Sequence, residues 1–219
     1  MKLTKKRVVL FLLFIFPLIC FLLLSTGINN AIKLPIVNKN VTDLSVLDAS
    51  KTFKNKVSVI CFLGENMLEN KGGFFNLNEK IYKKFTEYRD FQLIALFPEG
   101  KKAVAAQLKK EIGAFTDMVN WKFVPAAPEE IEALYATFKV NQPLVNAYTN
   151  EAFLIDKNGF LRGRTDDIEK KERKILGYNM NSVADLKKIM KDDISALYYE
   201  YYAAYRDRNK NKKKADRKF

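Results

Sequence analysis

The stretch Phe153–Arg164, FLIDKNGFLRGR, indicates how this chain folds. The segments Ala152–Asp156 and Phe160–Arg164 flank Lys157-Asn158-Gly159, and an Asn-Gly pair between two strand-like segments is typical of a tight β-hairpin. A segment with apolar residues at helical spacing follows, and Ser182 at its start is a suitable N-cap. The second half of the chain is therefore predicted to contain a hairpin and then a long closing helix.

The segments before the hairpin alternate between buried strands and amphipathic helices. Val57–Leu63 (VSVICFL) and Phe91–Phe97 (FQLIALF) are short, almost wholly apolar runs, which is typical of strands that are buried on both faces. Helices are predicted over Phe74–Tyr88, over Lys101–Ile112 and from Pro128 onward, with a further short strand over Trp121–Val124. The order β-α-β-α-β-α-β-β-α predicts a thioredoxin-like α/β sandwich, in which helices flank a central mixed sheet.

The composition excludes several classes of functional site. The chain has 219 residues, which suits one domain with appendages, and 48% of them are hydrophobic, enough for a substantial core. It contains no histidine, which excludes His-dependent triads and zinc sites that use imidazole. Its two cysteines cannot form a disulfide framework or a four-thiolate metal site. No catalytic constellation is recognisable, and the chain is predicted not to be an enzyme.

An apolar run near the N-terminus predicts a membrane anchor. Val8–Leu24 is an unbroken run of 17 apolar residues, and residues 25–28 extend it to the span of about 20 that crosses the hydrocarbon core. The basic flank Lys5-Lys6-Arg7 favours a cytoplasmic N-terminus, with the domain on the extracytoplasmic or periplasmic side. A cleaved signal peptide is the alternative, although Leu24-Ser25-Thr26-Gly27 lacks an Ala-x-Ala pattern. The predicted localisation is the cell membrane with a single transmembrane helix, and the lipid bilayer is a predicted partner.

The excess of positive charge, +13 in total, is concentrated at the two ends of the chain. Segment 206–219 has eight basic and two acidic residues and lacks apolar anchors, so it is predicted to be a disordered basic tail. The middle of the chain is only mildly basic, and no nucleic-acid partner is expected. The predicted organisation is a basic flank and anchor over 1–28, a linker over 29–42, a domain over 43–205 and the tail over 206–219.

Three stretches of the chain resemble the Sco/SenC family. They are Leu34-Pro35, the segment Lys54-Asn55-Lys56 that leads into VSVICFLG, and FLIDKNGFLRGR. Members of this family are membrane-anchored, thioredoxin-like copper chaperones associated with the assembly of cytochrome oxidase. The resemblance covers about residues 34–192 and implies the same fold, the same tethered placement and a link to respiratory-complex assembly.

The copper ligands that the resemblance implies are absent from this chain. Family members bind copper through a Cys-x-x-x-Cys loop after the first core strand and through a histidine shortly before the LID strand. At the corresponding positions of this sequence lie Met67, Lys71 and Tyr148. The resemblance therefore implies a degenerate member without a redox or copper site, in which neither a catalytic residue nor a cofactor is expected.

Two residues are weaker candidates for metal or thiol chemistry. Met67 offers a soft thioether to Cu(I), with Met118 or Met180 as further ligands, but thioethers alone bind weakly and an ordinary packing role is favoured. Cys61 is a candidate reactive thiol, yet it lies inside an apolar strand, which favours a small core residue.

The closing helix is rich in tyrosine. Five tyrosines occur within eight residues, at Tyr198, Tyr199, Tyr201, Tyr202 and Tyr205. Because tyrosines on all sides of a helix cannot all face a core, they are predicted to form an interaction surface for a partner protein or a membrane interface. Packing on the domain with the hydroxyl groups in water is the alternative.

These observations predict a non-catalytic, membrane-anchored protein with a thioredoxin-like domain, which acts as a scaffold through contacts with a membrane-protein partner. Two other functions stay open, a copper chaperone with a rebuilt methionine-based site and a thiol oxidoreductase that depends on Cys61. A Cu(I) affinity that falls with Met67→Ala would indicate the first, and alkylation of Cys61 in the folded protein the second.

Overall fold

A computed structural model describes residues 5–25, 33–164 and 175–216 of the chain, which divides into two compact units, Met1–Ile32 and Lys33–Phe219. In the first unit, helix α1 (Lys5–Ser25) contains Pro17, and its large apolar side chains between Val9 and Leu22 are exposed. Among the residues that the structure describes, no helix has the length and apolar character needed to cross a membrane.

Within the described residues, the second unit is built around a mixed sheet of seven strands. They are β1 (Ile36–Asn38), β2 (Val57–Leu63), β3 (Phe91–Pro98), β4 (Trp121–Ala126), β5 (Tyr148–Ile155), β6 (Leu161–Arg162) and β7 (Tyr178–Asn179). Their order is β1-β6-β5-β2-β3-β4, and β7 also pairs with β5. Strands β2, β3 and β4 are parallel, whereas β5 is antiparallel to β2 and to β6. This topology confirms the predicted α/β fold with a central mixed sheet.

Helices cover both faces of the sheet. They are α2 (Lys71–Leu77), α3 (Lys83–Phe85), α4 (Lys102–Gly113), α5 (Pro128–Ala136) and α6 (Lys191–Asp216). Alternate residues of β2 point to opposite faces. Val59 and Cys61 belong to the core cluster that includes residues of α2, α4 and α6, and Ile60 and Phe62 belong to the cluster that includes residues of α5. Burial on both faces explains why the sequence of β2 is apolar throughout.

The helix predicted over Phe74–Tyr88 is present, but it is not α-helical throughout. Residues Asn78–Tyr82 form a π-helical turn between α2 and α3. The apolar positions predicted to form one buried stripe include Phe74, Ile81 and Phe85, which are buried, but its last member, Tyr88, lies beyond the end of α3 and is 46% exposed. A π-turn is wider than an α-turn by one residue, and apolar spacings of three and four residues do not reveal it.

The ends of the second unit differ from the predicted boundaries. Strand β1 lies inside the segment 29–42 that is predicted to be a linker, because it pairs with β6; residues 29–32 lie outside the described residues. At the other end, α6 continues to Asp216, past residue 206, where the disordered tail is predicted to begin. Lysine, arginine and alanine favour helix, and the sequence has neither proline nor glycine after Gly177, so no helix-breaking residue ends α6 at that point.

Candidate functional site

The positions that correspond to the family's copper ligands lie around the carboxyl end of β2. There the chain turns at Gly64, whose φ of +68° is a conformation that glycine adopts without strain. A Cβ atom on Gly64 would lie 2.4 Å from the Cβ atom of Tyr148, so a larger residue would collide with β5. Leu63 pairs with Tyr148, and the Glu65 N–H donates to the carbonyl oxygen of Asn146 (3.2 Å). The loop after β2 is therefore held against the start of β5.

Met67 belongs to the hydrophobic core. Its side chain is fully buried in the same cluster as Phe74 and Met180, while Met118 packs at the edge of that cluster. Helix α2 lies close to Met180, since a Cβ atom on Gly73 would lie 3.1 Å from the Met180 Cβ atom. The burial of Met67 is what a packing methionine requires, because its unbranched side chain fills irregular space in a core.

Lys71 forms an ion pair on the surface. Its Nζ atom lies 2.9 Å from Oε2 of Glu111 on α4. Hydrogen bonds from Lys71 and Gln107 lower the pKa of the Glu111 carboxyl group. Because water screens an exposed ion pair of this kind, the pair contributes little to stability. It does, however, give the ammonium group of Lys71 a partner within the protein.

Tyr148, at the position of the family's histidine, is half-buried. Its ring meets the ring of Phe74 edge to face, with centroids 6.4 Å apart, and its hydroxyl group hydrogen-bonds with Asn181. Burial raises the pKa of this phenol, which keeps it protonated at neutral pH. A protonated phenol is not among the soft ligands that hold Cu(I).

Cys61 lies within β2 and is fully buried. Its thiol donates a long hydrogen bond to the carbonyl oxygen of Ile94 on β3, with 3.6 Å between sulfur and oxygen. Burial raises the pKa of the thiol far above its usual value. The thiolate that a reactive cysteine needs is therefore disfavoured in the folded unit.

The side chains around this loop do not converge on one centre. Within residues 5–25, 33–164 and 175–216, no group of three His, Cys, Asp or Glu side chains is arranged to hold a metal ion. Dithiol–disulfide exchange within the second unit would need two thiols, and the sequence of that unit contains one cysteine, Cys61. The loop after β2 is therefore packed against the rest of the second unit, and its side chains do not form a ligand site.

Two of the five predicted surface tyrosines are bonded to the rest of the second unit. The Tyr198 hydroxyl donates to Asp90 Oδ1 (3.1 Å), and the Tyr201 hydroxyl accepts a hydrogen bond from the Lys157 N–H (3.0 Å). Burial raises the pKa of Tyr201 to about 12. Tyr201 therefore joins α6 to the hairpin turn, and Tyr198 joins α6 to the turn directly before β3.

The other tyrosines face outward to different degrees. Tyr202 and Tyr205 are 62% and 63% exposed, and Tyr199 is partly exposed. Of the five, Tyr202 and Tyr205 thus present the largest fraction of their surface to a partner. The predicted interaction surface stays a prediction, but the structure reduces it to these two residues and their neighbours on α6.

A buried ion pair that the sequence analysis missed links three parts of the second unit. Arg162 in β6 donates from Nε to Asp156 Oδ2 (2.7 Å), and both side chains are buried. Its Nη1 atom donates to the carbonyl oxygen of Leu34 (2.6 Å) and lies 3.4 Å from Oε2 of Glu200 on α6. One guanidinium group therefore joins the hairpin, the entrance to the unit and the closing helix. In the sequence, the signal of this pair is Arg162 directly after the apolar residues Phe160 and Leu161.

A second buried group strengthens the attachment of α6. Asp193 on α6 accepts hydrogen bonds from Arg164 (2.8 Å from Nη2) and from the Tyr178 hydroxyl (2.8 Å). Burial and the charge of Asp193 raise the pKa of Tyr178. The first turn of α6 is therefore tied to the strands at the edge of the sheet.

A polar cavity of about 670 Å³ opens beside β5 and β7, near the π-helical turn Asp185–Met190 that precedes α6. Much of its lining is polar: Asn141, Gln142, Asn150, Glu151, Asn179 and Asp185. Gln142 donates to Asn150 Oδ1 (2.9 Å), and Asn150 donates to Asn179 Oδ1 (3.4 Å). Asn150 and Asn179 come together through the pairing of β7 with β5, which the sequence analysis did not predict.

The solved structures to which this chain is similar include Sco proteins. BsSco, a member of the Sco family of cytochrome c oxidase assembly proteins, matches with a TM-score of 0.50 at 15% identity, over 75% of this chain and 98% of that chain. A putative protein disulfide isomerase from Bacteroides thetaiotaomicron gives 0.47 at 12% identity, over 79% and 99% of the two chains. The soluble domain of the Sco protein from Bacillus subtilis gives 0.42 at 18% identity, over 75% and 95%.

The likeness to BsSco confirms at the level of the fold the resemblance that the sequence suggests. The fold so defined is a thioredoxin-like α/β fold. No protein-family model matches the chain, and no curated protein matches it. At identities of 12–19%, the likeness shows the fold alone.

Proposed function

We propose that this chain is a membrane-tethered, Sco-like scaffold that works through protein contacts and uses neither copper nor thiol–disulfide chemistry. The observation that carries the proposal is the engagement of the three positions near the end of β2. Met67 is buried in the core, Lys71 pairs with Glu111, and Tyr148 packs on Phe74. A ligand site would need these side chains to face a common centre, and each has a structural partner of its own.

We propose further that the scaffold serves the assembly of a respiratory complex. This part of the proposal comes from the likeness to BsSco, which belongs to a family of cytochrome c oxidase assembly proteins. A folded domain can keep its contact surface after its reactive residues are replaced, because packing and recognition depend on different side chains. The chain would then assist the same process without carrying the metal.

The N-terminal segment 1–28 is proposed to tether the domain, with the N-terminus in the cytoplasm and the domain outside. The proposal is supported by the apolar run Val8–Leu24, which residues 25–28 extend to the span of about 20 residues that crosses a bilayer, by the basic residues Lys5, Lys6 and Arg7 before it, and by the exposure of the large apolar side chains between Val9 and Leu22. A reporter enzyme that works only outside the cytoplasm is expected to be active when fused after Phe219. An inactive reporter, or release of the chain from membranes by alkaline carbonate, would refute the tether.

The copper part of the proposal is tested by a Cu(I) competition titration of the full chain in detergent micelles. No binding is expected against a high-affinity Cu(I) chelator, for the wild type or for the volume-conserving variant Met67→Leu. Tight one-to-one binding that weakens in Met67→Leu would instead establish the alternative, a copper chaperone with a methionine-based site.

The assembly part is tested by the activity of cytochrome c oxidase in membranes of cells that lack the protein. We expect lower activity, restored by the wild type and equally by Met67→Leu and Cys61→Ala at matched protein levels. Failure of Cys61→Ala alone to restore the activity would favour a thiol oxidoreductase. Normal oxidase activity in the absence of the protein would refute the link to assembly.

A further inference from the structure

We infer that the outer part of α6 docks on anionic phospholipid at the surface of the membrane that holds the chain. The docking surface, here called the basic-aromatic face, consists of Tyr202, Tyr205, Arg206 and Arg208. The inference rests on the membrane tether of the proposed function. It adds that anionic phospholipid is the partner that the exposed tyrosines contact.

The basic-aromatic face begins where α6 loses its contacts with the rest of the second unit. Tyr201 is half-buried and hydrogen-bonded to Lys157. Tyr205 lies one turn later on the same side of the helix, and it is 63% exposed although the helix continues to Asp216. The described side chains from Tyr202 to Arg208 are exposed or partly exposed. This stretch of helix is therefore formed but not covered by the described parts of the chain.

The chemistry of the face matches an anionic lipid surface. Tyr202 has Tyr205 and Arg206 as its neighbours three and four residues later, so aromatic rings and a cation lie together on the helix. Tyrosine is favoured at the membrane–water boundary because its ring is apolar and its hydroxyl group is polar. Segment 206–219 has eight basic and two acidic residues, and each basic residue is attracted to an anionic leaflet.

The position of the face favours lipid over an acidic protein as the occupant. Arg162 donates to the carbonyl oxygen of Leu34 (2.6 Å) and lies 3.4 Å from Glu200, two residues before Tyr202. Leu34 is at the entrance of the second unit and follows the segment 1–28 that is proposed to hold the chain in the membrane. Under that proposal a bilayer is always available to the domain, whereas an acidic protein partner would have to be recruited.

The test is limited trypsin digestion of the full chain in nanodiscs, which leave both sides of the bilayer open to the protease. One set of discs contains phosphatidylcholine alone, and the other also contains phosphatidylglycerol. Cleavage after Arg206 and Arg208 is followed by mass spectrometry. We expect it to be at least about fivefold slower in the anionic discs, and the difference to vanish at high salt, because screening weakens attraction between charges.

Two variants show whether the face itself is responsible. Tyr202→Ser/Tyr205→Ser keeps the trypsin sites and removes both rings, and it is expected to lose most of the protection. Val119→Ser changes a residue of matched exposure (63%) elsewhere on the second unit and is expected to keep it. Equal protection of the tyrosine variant and the wild type would overturn the role of the face.

The inference and the proposed tether fail in different ways. Equal cleavage in both sets of discs, with the chain retained in both, would overturn docking on lipid and leave the face to an acidic protein. Loss of the chain from the phosphatidylcholine discs would refute the tether, and with it the inference; the amount of protein that co-purifies with those discs measures this separately.

Discussion

Asp156 Oδ2 accepts a hydrogen bond from Arg162 Nε at 2.7 Å, and the two side chains are buried together. The other carboxylate oxygen, Oδ1, accepts the backbone N–H groups of Asn158 (2.8 Å) and Phe160 (2.9 Å). The carboxylate therefore closes the hairpin turn while it neutralises the guanidinium group that holds α6. A buried pair of this kind gives little net stability compared with apolar residues, but removal of one partner leaves an uncompensated charge.

Arg162→Met is accordingly expected to lower the free energy of unfolding by about 3–5 kcal/mol, because Asp156 stays buried without its cation. Urea denaturation of the full chain in micelles measures the change, with the fluorescence of the single tryptophan, the buried Trp121, as the signal. Arg208→Met on the exposed part of α6 is the control and should change stability by less than about 0.5 kcal/mol. Similar values for the two variants would contradict the importance of the pair.

Gly64 and Gly72 make a matched pair beside the candidate site. Gly64→Ala is expected to cost about 2 kcal/mol or more, because φ is +68° and the new Cβ atom would collide with Tyr148. Gly72→Ala is expected to stabilise the chain by about 0.4–1 kcal/mol, since Gly72 is helical and nothing lies within 4 Å of its Cβ position. Chemical denaturation of both variants checks the opposite signs, and a destabilised Gly72→Ala would count against the conformation of α2.

Variants of Tyr198 and Tyr202 test whether the tyrosines of α6 divide into hydrogen-bonded and exposed ones. Tyr198→Phe removes the hydrogen bond to Asp90 and is expected to cost about 0.5–1.5 kcal/mol. Tyr202→Phe removes a hydroxyl group from an exposed ring and should change stability by less than about 0.5 kcal/mol. The two unfolding free energies are measured side by side; a larger effect at Tyr202 would mean that the exposed and bonded groups are wrongly assigned.

The lowered pKa of Asp43 is expected to make the stability of the second unit sensitive to acid. Burial raises the pKa of its carboxyl group, but hydrogen bonds from the Phe53 N–H and from the hydroxyl groups of Thr52 and Ser45 outweigh this and leave the pKa below the usual value of 3.8. Because the folded-state pKa is the lower one, the stabilisation is complete above the usual value and is lost as the pH falls through the folded-state value.

Asp43→Ala is therefore expected to cost about 1–2 kcal/mol at neutral pH, and its deficit relative to the wild type should shrink as the pH falls below about 4. Denaturation curves of both proteins at a series of pH values provide the measurement. A deficit that stays constant through the acid range would mean that the charge of the carboxylate does not take part.

Cys61 is expected to react with an alkylating reagent only after unfolding. The chain used is Cys20→Ser, which leaves Cys61 as its single cysteine. Since the thiol is fully buried and its pKa is raised, labelling of the native chain by iodoacetamide should be at least about 100-fold slower than labelling in urea, as followed by intact mass. Comparable rates in the two conditions would revive the thiol oxidoreductase hypothesis.

The elements that local pattern determines could be predicted well from the sequence. Strand β2 has the predicted ends, Val57–Leu63, because an apolar run bounded by polar residues is recognisable wherever both faces of a strand are buried. The hairpin could be predicted because Gly159, with a φ of +82°, meets a requirement of the turn itself. Both features depend on residues that are close together in the chain.

The features that were missed depend on contacts between distant residues. The bond from Arg162 to Leu34 spans 128 positions, and the hydrogen bond from Tyr198 to Asp90 spans 108. The apolar spacing does give the packed side of the closing helical segment, on which Leu186, Met190 and Leu197 are buried, but it does not show which tyrosine hydroxyl groups find partners. The extent of α6 was missed for a different reason: charge density indicates disorder on average, whereas a helix that has already begun is extended at low cost.

The attachment of Leu34 through Arg162 has a consequence for the order in which the domain is made. Leu34 leaves the ribosome well before Glu200, which flanks the same guanidinium group and comes much later in the chain. The set of contacts around Arg162 is therefore complete only after α6 has emerged, because Glu200 on that helix flanks the guanidinium group that binds Leu34. For a domain that is exported as proposed, this late step leaves the chain free to pass through a translocation channel before α6 completes the contacts of Arg162.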